Sequence, residues 1–302
     1  MSDADVRAAE VYWQTWGSVS EGLGKYIGVL ARSGARDVVA RDLGDVLLDN
    51  SRVGAHGVAR VLFRQYLGDC WVDDSNESFW EIPYFTGDGQ FVVDRLKKSV
   101  ECDGEFRTQA QWNEHFEGSG YSLQGLPEYV GLAGVVCGAR RNPLLASRVE
   151  GICGVLEAAL KGHQMLGSRT VTTPGDAPDR FYAHDGGEGT PLALAGPRGL
   201  LRALPDMAAK SKVLFGTVDV SSVADTLGWI GNHKDSYVWR FNEQEKANLG
   251  AEEERVVGLV VGGIDVDIDL GVVGSVDVGG SALGWSRRCG QKISPQEVEV
   301  RQ

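Results

Sequence analysis

Apolar residues recur at every third or fourth position through much of the first two-thirds of the chain, then at every second position near its end. The first spacing predicts amphipathic helices and the second predicts strands. Val6, Trp13, Trp16, Leu23, Ile27 and Leu30 step at near-helical intervals, with Gly17, Gly22 and Gly24 breaking the run. "DVVARDLGDVLL" and "HGVARVLFRQYL" predict two further helices, separated by "DNSRVG". In "FWEIPYFTGDGQFVVDRL" two β-rich runs flank Thr86-Gly87-Asp88-Gly89, whose glycines can supply positive φ. A hairpin over 79–95 is expected, long enough to project, with Pro83 marking an edge strand.

The longest helical pattern starts at "RNPLLASRVEGICGVLEAALKGHQMLGS". Asn142 can cap it and Pro143 can occupy the first helical position, where a missing N–H costs nothing. Leu145, Val149, Ile152, Leu156, Ala159 and His163 then share one stripe, and Gly167 can close the end. A spine helix from Pro143 to Leu166 would be about 36 Å long. His163, on the apolar stripe, reads as a satisfied buried residue.

Residues 168–198 hold four prolines and a glycine cluster, the composition of a long loop or a linker. Beyond it, "GLLRALPDMAAKSK" predicts a short helix and "VLFGTVDV" a strand. Ser222 and Asp225 have capping-box spacing for "VADTLGWI". "DSYVWRF", "RVVGLVVGG" and the run from Gly262 predict strands. The fold class is therefore α+β, with a mainly helical part at 1–167, a loop or linker at 168–198, a mixed helix and antiparallel-sheet part at 199–290, and a polar tail at 291–302.

Composition narrows the function. The chain has 302 residues, 42% hydrophobic, with eight tryptophans, enough for a sizeable core. No apolar run approaches the ~20 residues of a membrane span. The N-terminal "MSDADVRAAE" is acidic where a secretory signal would be basic and then apolar, so no export through a signal peptide is expected. Five scattered cysteines form no CxxC pair, which argues against a disulfide framework or zinc knuckle and for a reduced intracellular setting. A net charge of −12, with basic residues only in short pairs such as Arg140-Arg141, leaves no basic arm for gripping nucleic acid.

Candidate chemistry is sparse. In "GGIDVDIDLGVVGSVDVGG", Ile264, Val266, Ile268, Leu270 and Val272 fall on one strand face, and Asp265, Asp267 and Asp269 on the other. Neighbouring aspartates about 7 Å apart repel by roughly 0.6 kcal/mol in water and roughly 2.4 kcal/mol at an effective dielectric of 20. That face must be solvated, paired with basic groups or occupied by a cation. An EF-hand fails, since its glycine and glutamate positions hold Leu270 and Val276. The three aspartates therefore read as the wet face of an antiparallel strand, or as charges that protect an edge strand from uncontrolled pairing, with a metal as the weaker alternative.

"GSVSEGLGKY" lacks the spacing and the Ser/Thr of a phosphate loop, and no GxGxxG, GxSxG or HExxH is present, so no cofactor is expected. Asp73-Asp74-Ser75-Asn76-Glu77 fits the DDxxE metal-diphosphate pattern of terpene synthases, but a second metal motif is missing and the late strands do not suit their helical fold. His184-Asp185, with Glu188 nearby, is a candidate acid–base group in the glycine-rich loop.

Three functions are carried forward. The first is a self-assembling structural subunit, most concretely a viral or phage-like capsid protein found in the cytoplasm or virion. Its partners would be copies of itself and other structural proteins, with no membrane. The order of hairpin, long helix and helix-and-sheet part loosely resembles the major capsid proteins of tailed phages. The second is an intracellular enzyme using His184, Asp185 and Glu188. The third is an adaptor that binds through exposed tryptophans.

Overall fold

The computed structural model describes residues 27–49, 53–102, 107–184, 186–261, 265–270 and 280–290. The fold is α+β, and the chain divides into two compact units. Among the described residues, one is formed by those up to Arg95 together with those from Arg287, and the other by those between Leu96 and Ser286.

In the first unit, helices α1 (Arg36–Leu48) and α2 (Val53–Leu67) follow the predicted periodicity and pack together. The predicted hairpin is strands β1 (Phe79–Phe85) and β2 (Phe91–Lys97). Gly89 has φ 84° and closes the Thr86–Gln90 turn, the conformation a side chain would oppose. The hairpin does not project. Phe85 and Phe91 turn inward to meet Phe63 of α2 edge-on, at centroid distances of 5.8 and 5.4 Å. Such contacts add about 0.5–1.5 kcal/mol each to the area they bury, which is why the hairpin lies against the helix.

Pro83 lies on β1, the outer strand of the three-stranded order β1–β2–β10, where β10 is Trp285–Cys289. Even this edge is covered, because the Asp69–Asp73 segment bonds along it. Trp71 N–H donates to the Pro83 carbonyl, and proline cannot return the bond. The Cys70 thiol reaches the Trp71 carbonyl instead, at 3.4 Å.

The second unit begins with α3 (Gln109–Phe116), opened by a Thr108–Gln111 capping box, and α4 (Leu126–Ala139). The expected spine helix is shorter. Helix α5 runs Ala146–Lys161, and Pro143 sits in the preceding turn rather than at its first position. Gly162 caps its end, His163 takes φ 60°, and the chain leaves as strand β3 (Gln164–Thr172). Met165 and Leu166 continue the apolar pattern but belong to the sheet, and His163 is exposed rather than buried.

Strands β3, β4 (Arg180–Tyr182), β5 (Thr190–Pro191), β6 (Gly199–Leu200), β7 (Asp235–Trp239), β8 (Glu253–Val261) and β9 (Asp265–Asp269) form one sheet in the order β5–β4–β3–β8–β9–β7–β6. The segment expected as a loop or linker at 168–198 thus holds most of a central strand and two short outer ones. All pairs are antiparallel except β7 with β9, which run parallel.

Helices α6 (Met207–Phe215) and α7 (Val220–Ile230) fall on the helices expected at "GLLRALPDMAAKSK" and "VADTLGWI", with two differences. "VLF" ends α6, closed by Gly216 at φ 71°, rather than starting a strand. Helix α7 is capped by Asp219, which accepts from Ser222 N–H at 3.0 Å, so Ser222 is a capped residue and not the cap. Helix α7 packs on β7 and β9, with Gly231 against Val266. Val238, Val266, Ile268 and Leu259 fill that face of the sheet. Among the described residues, no single helix is long and apolar enough to cross a membrane. The polar tail at 291–302 lies outside the described residues.

Candidate functional site

The register of β3 against β8 breaks between Met165 and Arg169: four steps on β3 oppose two on β8. This bulge turns Gly167 and Ser168 toward the start of α4. Gly167 N–H donates to the Gln124 carbonyl at 2.9 Å. The fully buried Ser168 hydroxyl accepts from Leu126 N–H at 2.8 Å and donates to the Ala183 carbonyl at 2.7 Å. Three segments distant in sequence are thereby tied around Gly125. A Cβ at Gly125 would lie 2.3 Å from the Ala183 oxygen, 2.5 Å from Glu128 Oε2 and 3.1 Å from His184 Nδ1, so the approach requires glycine.

The tie brings His184 Nε2 to 3.1 Å from Glu128 Oε1. Glu128 is the third residue of α4, where the helix dipole favours a carboxylate. Its Oε2 is buried, and neither it nor the side-chain amide of buried Gln124 has a hydrogen-bond partner among the described residues. Chemically, an exposed imidazole oriented by a largely buried carboxylate can accept or donate a proton. Ser168 is committed to two backbone groups and is not poised as a nucleophile.

The sequence singled out His184 but not Glu128, 56 residues away, and no local signal joins them. Asp185 lies outside the described residues, and Glu188 is exposed on the following turn. The loop around His184 is held firmly. Asp179, fully buried, accepts from Thr173, Leu194 and Ala195 N–H groups and pairs with Lys246 at 2.8 Å. Buried Arg240 grips Asp206 through both terminal nitrogens, at 2.7 and 2.9 Å, and donates to the Pro197 carbonyl.

The second candidate is the aspartate face of β9. Asp265, Asp267 and Asp269 do share one side, alternating with buried Val266 and Ile268. The strand is not an edge: β8 flanks it on one side and β7 on the other, because both neighbours find bonding partners on it. The face is half-buried rather than fully wet. The parallel register sets Asp235, Tyr237 and Trp239 beside Asp265, Asp267 and Asp269. Trp239 Nε1 donates to Asp267 Oδ1 at 3.0 Å, and the Trp239 and Tyr237 rings lie 5.1 Å apart. Burial pushes the Asp267 carboxyl above its ordinary value, Asp265 adds to this, and Trp239 and His163 offset part of it.

Among the described residues, no group of three or more His, Cys, Asp or Glu side chains is arranged to hold a metal ion. No family model, curated protein or solved structure matches the chain. The two sites therefore rest on geometry: a carboxylate–imidazole pair at Glu128–His184, and an acidic, aromatic sheet face at β7–β9.

The other candidate residues have structural settings. Of the described tryptophans, Trp71, Trp80, Trp112 and Trp285 are buried and Trp229 is half-buried, whereas Trp239 is 38% exposed. Cys137 and Cys153 are half-buried on α4 and α5, and burial raises both thiols.

Proposed function

We propose that this chain is a self-assembling structural subunit, most concretely a shell protein of a virus or phage-like particle, that works through contacts between proteins. The observation that carries the reading is the apolar stripe across β6 and β7. Leu200, 43% exposed, pairs in register with Tyr237, and Trp239 follows two residues on along the same face. A contiguous aromatic and aliphatic patch beside charged residues is the composition of a protein contact surface. Such a subunit would meet copies of itself and other structural proteins, first in the cytoplasm and then in the virion. Its acidic charge suits a shell that encloses nucleic acid without gripping it.

Mass photometry with negative-stain microscopy of the purified full chain tests this. Regular particles or filaments of many copies are expected. A 32.5 kDa monomer across all protein and salt concentrations rules the reading out.

The Glu128–His184 pair supports a second reading, an enzyme using acid–base chemistry beside the 168–198 segment. Here native mass spectrometry should find a bound small molecule that H184A and E128Q both lose. Identical ligand-free spectra for all three proteins rule that reading out.

A further inference from the structure

We propose that the acidic, aromatic face of β7 and β9 receives the Arg140–Arg141 turn of a second copy of this chain, an inference that rests on the self-assembly reading and names its contact. Both surfaces belong to the same compact unit, and they complement each other in charge and in apolar character.

The receiving face presents Asp235, Asp265, Asp267 and Asp269 beside the rings of Tyr237 and Trp239, with Leu200 at its margin. The inner face of the same strands is already filled by Val238, Val266 and Ile268 against α7. Carboxylates interleaved with tryptophan and tyrosine suit a guanidinium, which pairs with the first and stacks on the second. Trp239 already takes part in one such arrangement: the Arg198 guanidinium lies 5.7 Å from its ring centroid.

The donating surface is the turn between α4 and α5. Arg140, Arg141 and Pro143 are exposed, and Leu144 is 54% exposed, more open than a large aliphatic ordinarily is. The turn is held by bonds from Arg141 and Asn142 N–H to the Gly138 and Ala139 carbonyls, and from Leu144 N–H to the Asn142 side chain. Both partners are thus shaped before they meet, which lowers the cost of association. Turn and face are different patches, so the contact is head-to-tail and propagates from copy to copy into a ring or a filament. Charge-driven recognition also means that the assembly weakens with salt.

The test uses reversed charges on the full chain. One variant carries R140E and R141E, and the other carries D265K and D267K; circular dichroism checks that both are folded. Each alone should associate at least about tenfold more weakly than the native chain, as loss of a desolvated charge contact implies. Mixed in equal amounts, they should associate again, because the reversed turn of one meets the reversed face of the other. A native chain that never assembles removes the self-assembly reading and this contact with it. A native chain that assembles, with variants that assemble equally well or fail to recover on mixing, overturns this contact alone. A second class of basic protein as the true occupant would show as native chains that stay monomeric yet bind it.

Discussion

Arg287 meets Asp94 across 193 residues of sequence in a two-pronged ion pair, with Nε to Oδ1 at 2.7 Å and Nη2 to Oδ2 at 2.8 Å. Asp94 is fully buried, and Tyr84 completes the cluster by donating to Asp94 at 2.9 Å while accepting from Arg287. The pair fastens β10 to the hairpin. Removing one partner would leave a charge buried without compensation. R287A is expected to cost about 3–5 kcal/mol in urea unfolding, and Y84F about 1 kcal/mol. Equal effects of the two substitutions would show that the charge pair is not the fastening.

A second clamp gives a pH signature. Hydrogen bonds from Arg240, then from Lys210, hold the Asp206 carboxyl well below the usual carboxylate range despite partial burial. A depressed folded value means the contribution is complete at neutral pH and is lost as pH falls from the ordinary value, about 3.9, toward the folded one. D206N should therefore be less stable than the native chain at pH 7, and the gap should narrow as pH drops below about 4. Denaturant titrations at several pH values measure it. A gap that stays constant with pH would mean that the carboxylate charge is not what Arg240 needs.

The packing of α7 on the sheet rests on Gly231. A Cβ there would lie 2.1 Å from Val266 Cγ2 and 3.3 Å from the Leu227 carbonyl. G231A should cost about 1–3 kcal/mol by overpacking. V266A in the same chain should relieve part of the clash, so the double variant loses less than the two single losses added. Strict additivity in thermal or urea unfolding would contradict this contact.

Local patterns carried much of the fold. The periodicity of α1 and α2, the Thr86–Gly89 turn, the alternation in β7 and β9 and the apolar run of β8 all depend on neighbours in sequence, so they are legible there. Sequence and structure part where a tertiary contact decides between local options. Leu166, three residues after His163, extends the α5 stripe as helix, and the sheet pairing with β8 selects strand instead. The sign that was present was Gly162 followed by His163, which take a helix end and a positive φ. Asp219 and Ser222 both suit a cap, and the earlier residue took the role. Glu128 as the partner of His184 depends on a bulge in a strand lying between them in sequence, which no spacing encodes. Nor could alternation show that β9 is interior, because that follows from β7 pairing on its far side.

Asp267 responds to pH in the direction opposite to Asp206. The Asp267 carboxyl is raised in the folded chain, chiefly by burial and next by Asp265, so the fold favours its protonated form. Stability contributed by that proton is present at acid pH and falls as pH rises from the ordinary carboxylate value through the raised one. At neutral pH the ionised Asp267 therefore weakens the isolated chain. D267N keeps an oxygen for Trp239 Nε1 and removes the charge. Under dilute, high-salt conditions that hold the chain monomeric, D267N should be at least as stable as the native protein at pH 7, with the difference closing toward pH 4. Under conditions that favour association, the same substitution should weaken assembly. Stability gained and assembly lost by one substitution would mark Asp267 as a residue that serves the contact at the expense of the fold. Stability lost in the monomer would instead show that the carboxylate is held by the surrounding fold, with Trp239 and His163 outweighing burial.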